Sequence, residues 1–496
     1  MNKVIKLNSD NAGSFNASQN IVNFTIPSGT WNLRDSYINL NCVVTTADAT
    51  PATGEGVYPV ALRLKDQPAA KITNSSLVRD ARLTCDRKGV IEDISRVDQL
   101  TNLLHHYSHS IDETESENYI DMSVFSGKTN QPYNFQSIFR DIVKLGDFAL
   151  TPSRDLTISP IQLRLSDLFN FCNTTEFDTQ RAGDAHIRLR LNLDLVEAYQ
   201  TTDAMVADSN EMKDVDASLG DADEVITSHL FTDLSQSPYY LGQKVQVNAV
   251  GATNGGTAPI NVSTGRIITT ITWDRIPASP NIGRLILQFD SAWGVQTALG
   301  TYENIEVTAV EADTVTVDFD YAEIVLKEAE NSGVDQISYD TYNVEQNNGN
   351  QLENYSNVFQ IEPECSNVML VMNQEATGNI TSTNLGFSSY TIRLNNEDLV
   401  DNRTVEFNSS LYRDRLNMTM GNMDMPLHNF TSHIGETNEE SDRYTATDLR
   451  VVTIMNPIVP ASNTQLLQLN IDASDANGTG LREISLFKQL PKIFEY

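Results

Sequence analysis

Short segments of alternating polarity, bounded by turn-forming residues, recur along this chain and limit the folds open to it. Residues 186–199, HIRLRLNLDLVEAY, alternate polar and apolar side chains, and similar segments lie at 20–27, 36–46 and 155–165. Alternation with a period of two places the apolar side chains on one face of a half-buried strand. Helical spacing of apolar residues is confined to a few windows, chiefly 94–107. Many short strands separated by turn signals predict β-sandwiches or barrels rather than βαβ units.

The order of these segments is repeated in the second half of the chain. Four pairs of segments match: FTIP (24–27) with FQIEP (359–363), ARLTCD (81–86) with IRLNNED (392–398), LNLD (191–194) with LNID (469–472), and EIVLK (323–327) with EISLFK (483–488). Two or three matching residues recur by chance in any β-rich chain, so their common order is the stronger signal. The offset between partners falls along the chain from 335 to 311, then 278, then 160. We therefore predict two β-domains with the same strand order, the first carrying a large insertion before its last strand.

The predicted insertion, 200–314, contains four or five strand-like segments of its own, which suggests a small β-barrel or hairpin stack. Trp273 and Trp293 are predicted to be packing residues there, with sugar stacking as the alternative. The predicted division of the chain is an N-terminal arm (1–18), the main part of the first β-domain (19–199), the insertion (200–314), the closing strand of the first domain (315–330), a polar linker (331–354), and the second domain with a C-terminal tail (355–496).

The charge of the chain excludes one large class of function. Its 66 acidic and 34 basic residues give a formal net charge of −32. Binding to nucleic acid through phosphate groups needs clustered Lys and Arg, so strong direct binding of that kind is not expected. Contact between copies of so acidic a chain must depend on complementary patches, apolar surfaces or cations.

Motifs of enzyme chemistry are missing from the sequence. It has no GxSxG elbow, GxxxxGK[ST] loop, HExxH helix or GxGxxG fingerprint. His105, His106 and His109, followed by Asp112 and Glu113, are the best metal candidates, since His105 and His109 are four residues apart on a predicted helix. The favoured interpretation is imidazoles at a helix end. Residues 214–224 superficially resemble a calcium loop but lack its Gly and Glu positions. We predict no catalytic, cofactor-binding or metal site.

Cysteine usage and the N-terminal residues bear on the compartment. Four scattered cysteines, Cys42, Cys85, Cys172 and Cys365, form no CxxC pair and are predicted to be buried free thiols. The first ten residues contain no apolar core of a signal peptide. No run reaches the roughly 20 apolar residues of a membrane span, so none is expected.

Three stretches carry a resemblance to a known family: NIVNFTIPSGTWNLRDSYINLNCVV (20–44), ISPIQLRLSDLFNFC (158–172), and PECSNVMLVM (363–372) followed by SYTIRLNNEDLVDN (389–402). They resemble double jelly-roll major capsid proteins of Polinton-like viruses and virophages, in the adenovirus-hexon-like lineage. The resemblance implies an all-β fold of two tandem eight-stranded jelly rolls. It also implies homotrimeric, pseudo-hexameric capsomers that tile an icosahedral shell, with the insertion on the outer crown and both termini near the base.

The predicted function is therefore structural, in the virion shell of a DNA virus made in the host cytoplasm or nucleus. The predicted partners are other copies of the chain, penton proteins and minor capsid proteins. The alternatives are a penton, minor capsid or spike protein, and a carbohydrate-binding or carbohydrate-hydrolysing β-sandwich.

Overall fold

Strands make up most of the described chain. The computed structural model describes residues 3–11, 13–47, 60–64, 74–108, 154–200, 210–213, 224–227, 230, 239, 244–253, 260–277, 279–291, 301–309, 314–349, 354–374, 389–395, 397–398, 404–406, 409–423, 433–434, 447–448, 451–455, 465–472 and 482–496. Its helices are α1 (Val97–Ser108), α2 (Leu165–Leu168), α3 (Thr179–Ala182) and α4 (Ser410–Asn422). Short 3-10 turns lie at Asn74–Leu77, Asn170–Asn173 and Leu193–Leu195.

The strands fall into three groups along the chain. The first group is β1 (Val4–Asn8), β2 (Ile21–Ile26), β3 (Thr30–Ala47), β4 (Val60–Leu64), β5 (Val78–Cys85), β6 (Gly89–Ser95), β7 (Arg154–Arg164), β8 (Phe177–Asp178), β9 (Ala185–Leu191) and β10 (Val196–Gln200). The second is β11 (Asn210–Lys213), β12 (Glu224–Ile226), β13 (Lys244–Thr253), β14 (Ile260–Trp273), β15 (Leu285–Phe289) and β16 (Thr301–Ala309). The third is β17 (Thr314–Glu328), β18 (Gln336–Gly349), β19 (Asn354–Ile361), β20 (Asn367–Gln374), β21 (Ser389–Leu394), β22 (Glu397–Asp398), β23 (Val405–Glu406), β24 (His433–Ile434), β25 (Thr447–Asp448), β26 (Val451–Met455), β27 (Gln465–Asp472) and β28 (Arg482–Glu495).

Two sheets form the first sandwich. One has the order β1-β17-β3-β7, with β8 also paired to β3, and the other has the order β2-β9-β5-β6. Eight strands of this sandwich have counterparts in the second: β1, β2, β3, β5, β6, β7, β9 and β17. Numbered 1 to 8 along the chain, they give the sheet orders 1-8-3-6 and 2-7-4-5. All of the pairings are antiparallel. The eighth strand, β17, thus returns from the far side of the insertion to lie between the first and the third.

The second sandwich repeats this order. Its sheets are β18-β28-β20-β26 and β19-β27-β21-β22, with β23 also paired to β21. Counted in the same way, they are again 1-8-3-6 and 2-7-4-5. The helices that follow the fifth strand correspond as well, because α1 comes after β6 and α4 comes after β23. The predicted repeat of strand order is therefore present in the fold.

The register of the repeat differs at one strand from the sequence match. In the first sandwich Ile187 on the seventh strand pairs with Phe24 and Leu83. In the second, Leu467 pairs with Phe359 and Leu394. The second and fourth strands keep the predicted offsets of 335 and 311, but Ile187 corresponds to Leu467, an offset of 280 rather than 278. Alternation explains the error, because a strand shifted by two residues keeps the same inward face.

The side-chain alternation read from the sequence determines which face of each strand is buried. Along β9 the residues facing the core are fully buried and those between them are not. The buried set is Ala185, Ile187, Leu189 and Leu191. Removing such side chains from water is the main favourable term in folding. The register of the sheet is fixed by the same pattern, since a one-residue slip would expose the whole set.

The insertion between β10 and β17 forms a closed six-stranded barrel, β11-β12-β15-β14-β13-β16. Its interior contains Val225, Val245, Leu285, Leu287 and Val307. Closure leaves no free sheet edge. The barrel has more strands than the four or five segments read from the sequence.

Two predicted segments, the arm and the linker, contain strands of the two sandwiches. The arm predicted at 1–18 includes β1, which pairs with β17 along its whole length and is the first strand of the first sandwich. The linker predicted at 331–354 includes β18, which pairs with β28 over fourteen residue pairs and is the first strand of the second sandwich. Both segments are rich in polar residues because both are edge strands, with hydrogen bonds to only one neighbouring strand.

Candidate functional site: the interface between the two sandwiches

One sheet of the second sandwich is buried on both faces. On β20, Val368 and Leu370 belong to the core inside the second sandwich. Their neighbours Met369 and Val371 belong instead to the core that includes the first sandwich. Phe487 on β28 lies on that same outer face and is fully buried. The β18-β28-β20-β26 sheet thus lies between two hydrophobic cores and contributes side chains to both.

The corresponding sheet of the first sandwich has a mixed outer face, where Val325 on β17 is buried but several neighbours are not. On β3, Ile38 and Leu40 face the core and are buried, whereas Tyr37 and Asn39, which alternate with them, are only half-buried. The sequences record this difference: NVMLVM at 367–372 is almost wholly apolar, whereas YINLN at 37–41 alternates. Strands buried on both faces read as continuous apolar runs. That run was the signal by which the interface could have been found from the sequence.

The two equivalent helices meet at this interface. Leu103 and Tyr107 of α1 and Leu416 and Met420 of α4 are buried in one core. The hydroxyl groups of Tyr107 and Tyr412 lie 3.3 Å apart, within hydrogen-bonding distance. Helix α4 begins at Ser409, whose Oγ accepts a hydrogen bond from the Tyr412 N–H.

The start of α1 is held by a buried ion pair. Arg96, in the left-handed region with φ 56°, precedes the helix. Its Nε lies 3.1 Å from Oδ1 of Asp98, and both side chains are almost fully buried. Asn192 donates to Oδ2 of Asp98 at 3.0 Å. Burial raises the pKa of Asp98, although the charge of Arg96 opposes this effect. A buried pair of this kind fixes geometry more surely than it adds stability.

An aromatic cluster fills the interface beside β18. Phe171 packs edge-on against Phe177, Tyr339 and Phe494, with ring centroids 5.0, 5.2 and 5.4 Å away. Tyr496 packs edge-on against Phe494 at 5.3 Å. Phe171 and Phe177 come from the first sandwich, and the other three come from the second. Edge-to-face pairs contribute roughly 0.5–1.5 kcal/mol each beyond the area that they bury.

Polar contacts surround this cluster. Arg181 donates to the backbone oxygen of Val334 and to Oδ1 of Asp335, both at 2.9 Å. Its guanidinium lies 4.7 Å from the ring centroid of Tyr496. The Asp178 N–H donates to the Tyr496 hydroxyl at 2.9 Å. The segment that joins the two sandwiches and the last residue of the chain are therefore both bound to α3 and its N-terminal flank.

A buried carboxyl group lies in the same interface. Glu92 on β6 has no exposed surface. Its Oε2 accepts the Phe171 N–H at 2.8 Å, and its Oε1 is buried without a hydrogen-bond partner in the described part of the chain. Burial raises the pKa of Glu92 to about 7, although the Phe171 N–H, the Thr341 side chain and Lys492 lower it by smaller amounts. Thr341 and Lys492 belong to the second sandwich, so the group titrates between the two domains.

The residues considered for metal binding do not form a site in the described part of the chain. His105 and His106 lie on α1, while His109, Asp112 and Glu113 lie outside the described residues. Of the loop 214–224, only Glu224 is described, and it begins β12. The described residues contain no group of three His, Cys, Asp or Glu side chains that could hold a metal ion.

The cysteines and tryptophans have mixed outcomes. All four cysteines are free and buried, which confirms the prediction. Burial raises the pKa of Cys42 and that of Cys365 to about 12, so neither thiol is reactive near neutral pH. Trp273 ends β14 with the Arg275 guanidinium 4.4 Å from its ring centroid. Trp293 lies outside the described residues. In the described segments, no helix is both long and apolar enough to cross a bilayer.

Comparisons with known proteins find only distant structural matches. No protein-family model matches it, and no curated protein is similar to it. Several solved structures align over nearly the whole chain, all at low identity. A structure of the Sputnik virophage is 12% identical, with 99% of this chain and 86% of that one covered and a TM-score of 0.39. The mavirus major capsid protein is 8% identical (99% and 88% covered, TM-score 0.37), and the Faustovirus major capsid protein is 7% identical (100% and 90% covered, TM-score 0.44).

The strand order is the observation that decides the fold. Two sheets of order 1-8-3-6 and 2-7-4-5, packed face to face, make a jelly roll, and the chain contains this arrangement twice. The chain is a double jelly roll. The described interface between its two halves contains buried aromatic and ionisable side chains. It contains more of them than the two metal sites considered from the sequence, near His105 and at 214–224.

Proposed function

We propose that this protein is the major capsid protein of an icosahedral virus and that it assembles as a pseudo-hexameric homotrimer. The observation that carries the proposal is the shared sheet at the interface, buried on both faces. It joins two lobes of the same strand order side by side in one chain. Three such chains around a threefold axis present six similar lobes, the outline that can tile a shell in hexagonal packing.

The insertion has a place in this proposal. Because the barrel leaves and re-enters the first jelly roll between its seventh and eighth strands, it lies beyond one end of that sandwich. We assign that end to the outer surface of the shell and the opposite end to the base. Neighbouring capsomers, penton proteins and minor capsid proteins would contact the sides and the base, and the protein would reside in the virion.

The absence of enzyme motifs and the negative charge fit a structural role. A net charge of −32 favours solubility before assembly and leaves genome condensation to basic components. A penton protein, which carries a single jelly roll, is disfavoured by two equivalent sandwiches in one chain. No observation favours a carbohydrate-active sandwich.

Size-exclusion chromatography with light scattering tests the proposal. We expect a stable particle of three times the 55.1 kDa chain mass. Negative-stain electron microscopy of the same fraction should show six lobes around a threefold axis. A stable monomer at high concentration, or a pentamer, would contradict the proposed function.

A further inference from the structure

The outer faces of the two 2-7-4-5 sheets differ in charge, although their strands correspond one to one. On the seventh strand of the first sandwich, the outward residues are His186, Arg188 and Arg190. The equivalent residues of the second sandwich are Leu466, Gln468 and Asn470, by the register that aligns Ile187 with Leu467. The seventh strand thus carries two arginines on its outer face in the first sandwich, and its counterpart carries no charge.

The cations of the first sandwich lie against one another. Arg188 is the direct cross-strand partner of Arg82 on β5. Like charges directly opposite one another in a sheet destabilise it. On its other side Arg188 faces Asn23 of β2. Arg188 is exposed and forms no ion pair with any residue that the structure describes. The described fold therefore does not pair the charge at this position.

The carboxylates nearby are only loosely paired with these arginines. Arg82 lies 3.7 Å from Asp93, and Arg190 lies 3.6 Å from Asp80, beyond hydrogen-bonding distance. Both arginine side chains remain about half exposed, at 46% and 50%. At the position equivalent to Arg82, Arg393 of the second sandwich is held at 2.6 Å by Asp398. A third carboxylate, Asp86, pairs with His186 at 3.0 Å, so Arg188 is the arginine that has no carboxylate partner among the described residues of this face.

We infer that this surface, the arginine face (Arg82, Arg188 and Arg190), binds an acidic surface on a second copy of the chain. The inference rests on the proposed function, in which many copies pack closely. Every neighbouring copy has a net charge of −32, so most surfaces of two copies repel and a cationic face is where they attract. The guanidinium group suits the role because it can bind a carboxylate through two parallel N–H donors.

Nucleic acid is the other polyanion that an arginine cluster could bind. Such binding draws on many phosphate contacts spread along a groove or stripe. The arginine face offers three cations on two adjacent strands of an otherwise acidic molecule, which is too few to offset repulsion of a phosphate backbone. A carboxylate cluster on another copy needs only this local match.

Charge reversal tests the inference against a matched control. Arg188→Glu should raise the dissociation constant between copies at least tenfold at low salt, measured by analytical ultracentrifugation, and the difference should shrink as salt rises. Arg393→Glu makes the same charge change at the fourth-strand position of the other sandwich and should have a smaller effect. Circular dichroism of both variants checks folding.

Crosslinking identifies the partner surface. Arg188→Lys keeps the charge and supplies an amine, which a carbodiimide joins to a carboxylate in contact with it. The carboxyl group adds to the carbodiimide to form an O-acylisourea, and the amine then attacks its acyl carbon, which forms the amide and releases a urea. With mixed ¹⁴N- and ¹⁵N-labelled chains, we expect a mixed-isotope crosslink from Lys at 188 to Asp or Glu of the other copy.

The outcomes separate the two ideas. A wild-type protein that stays monomeric contradicts the proposed function and this inference together. If wild type assembles and the Arg188→Glu and Arg393→Glu variants have equal dissociation constants, the inference alone is contradicted. Loss of oligonucleotide binding in Arg188→Glu, with self-association unchanged, would also overturn it.

Discussion

The two sandwiches have the same strand order, but their 1-8-3-6 sheets have different surroundings. In the first, the sheet faces its own core on one side, and the other side is mixed, with Val325 buried and polar residues such as Asn39 half-buried. In the second, the equivalent sheet has the first sandwich behind it and buries Phe487 on its outer face. A duplicated fold thus acquires a junction when the outer face of one sheet changes from mixed to apolar.

Substitutions on the eighth strands should give the largest difference in stability between the two sheets. Lys327 and Phe487 occupy equivalent positions on β17 and β28, by the predicted offset of 160. Phe487→Ala leaves a cavity between two cores and should lower the free energy of unfolding by about 3–5 kcal/mol. Lys327→Ala removes a half-buried side chain from an outer face and should change it by roughly 0.5 kcal/mol or less.

Urea denaturation of both variants at equal protein concentration gives the comparison. Hydrogen exchange along β18 and β20 should accelerate in Phe487→Ala only, because these strands flank the emptied position. Equal losses of stability in the two variants would mean that the shared sheet is not a junction.

Protonation of Glu92 gives the second largest effect. The ordinary pKa of its carboxyl group is 4.5, and the pKa in the folded chain is about 7. The folded state therefore binds the proton more tightly, so the contribution is fully present below pH 4.5 and is lost as the pH rises through 7. A shift of this size corresponds to on the order of 3 kcal/mol.

Glu92→Gln isolates this contribution from other carboxyl groups. Lowered pKa values, such as those of Glu176 and Glu323, give stability the opposite pH dependence. The free energy of unfolding of wild type minus that of Glu92→Gln should be smallest at pH 8 and should increase as the pH falls to 5. A difference independent of pH would show that Glu92 keeps an ordinary pKa at the interface.

How far the sequence predicts this molecule depends on what each residue contacts. Alternation in segments such as 186–199 is a local property, so the strands, their repeated order and the position of the insertion could be predicted. The offset of the seventh strand was wrong by two residues because alternation repeats every two residues. β1 was predicted as part of an arm and β18 as a strand within a linker, because edge strands tolerate polar residues.

The interface is harder to predict because it depends on contacts between distant residues. Glu92 and Phe171 lie 79 positions apart, and Tyr107 and Tyr412 lie 305 apart. Nothing local in IED or HHY marks these residues as members of an interface. The continuous apolar run at 367–372 did record that its sheet is covered on both sides, and it was available from the start.

The tyrosine pair between the equivalent helices should have a moderate effect. Tyr412→Phe removes the hydrogen bond between the two hydroxyl groups, which should cost about 1 kcal/mol. The double variant with Tyr107→Phe should cost less than the sum of the two single variants, because each single variant loses the same hydrogen bond. A double-mutant cycle in urea measures this coupling. Additive losses would mean that the two hydroxyl groups do not interact.

The contacts of Arg181 should give the smallest effect, because the side chain is partly open to solvent. It is 40% exposed and its partner Asp335 is 87% exposed, so the ion pair contributes roughly 0–1 kcal/mol. Arg181→Lys keeps the charge but loses the planar group above Tyr496 and one of two hydrogen bonds. We expect a loss of about 0.5 kcal/mol, mostly insensitive to salt because the ring contact and the bond to the Val334 backbone oxygen carry it.

Arg393→Lys, at an ion pair on the outer face of the second sandwich, is the matched control and should lose its smaller contribution as salt rises. If the Arg181 variant showed the same salt dependence, its contact with Asp335 would be the dominant one.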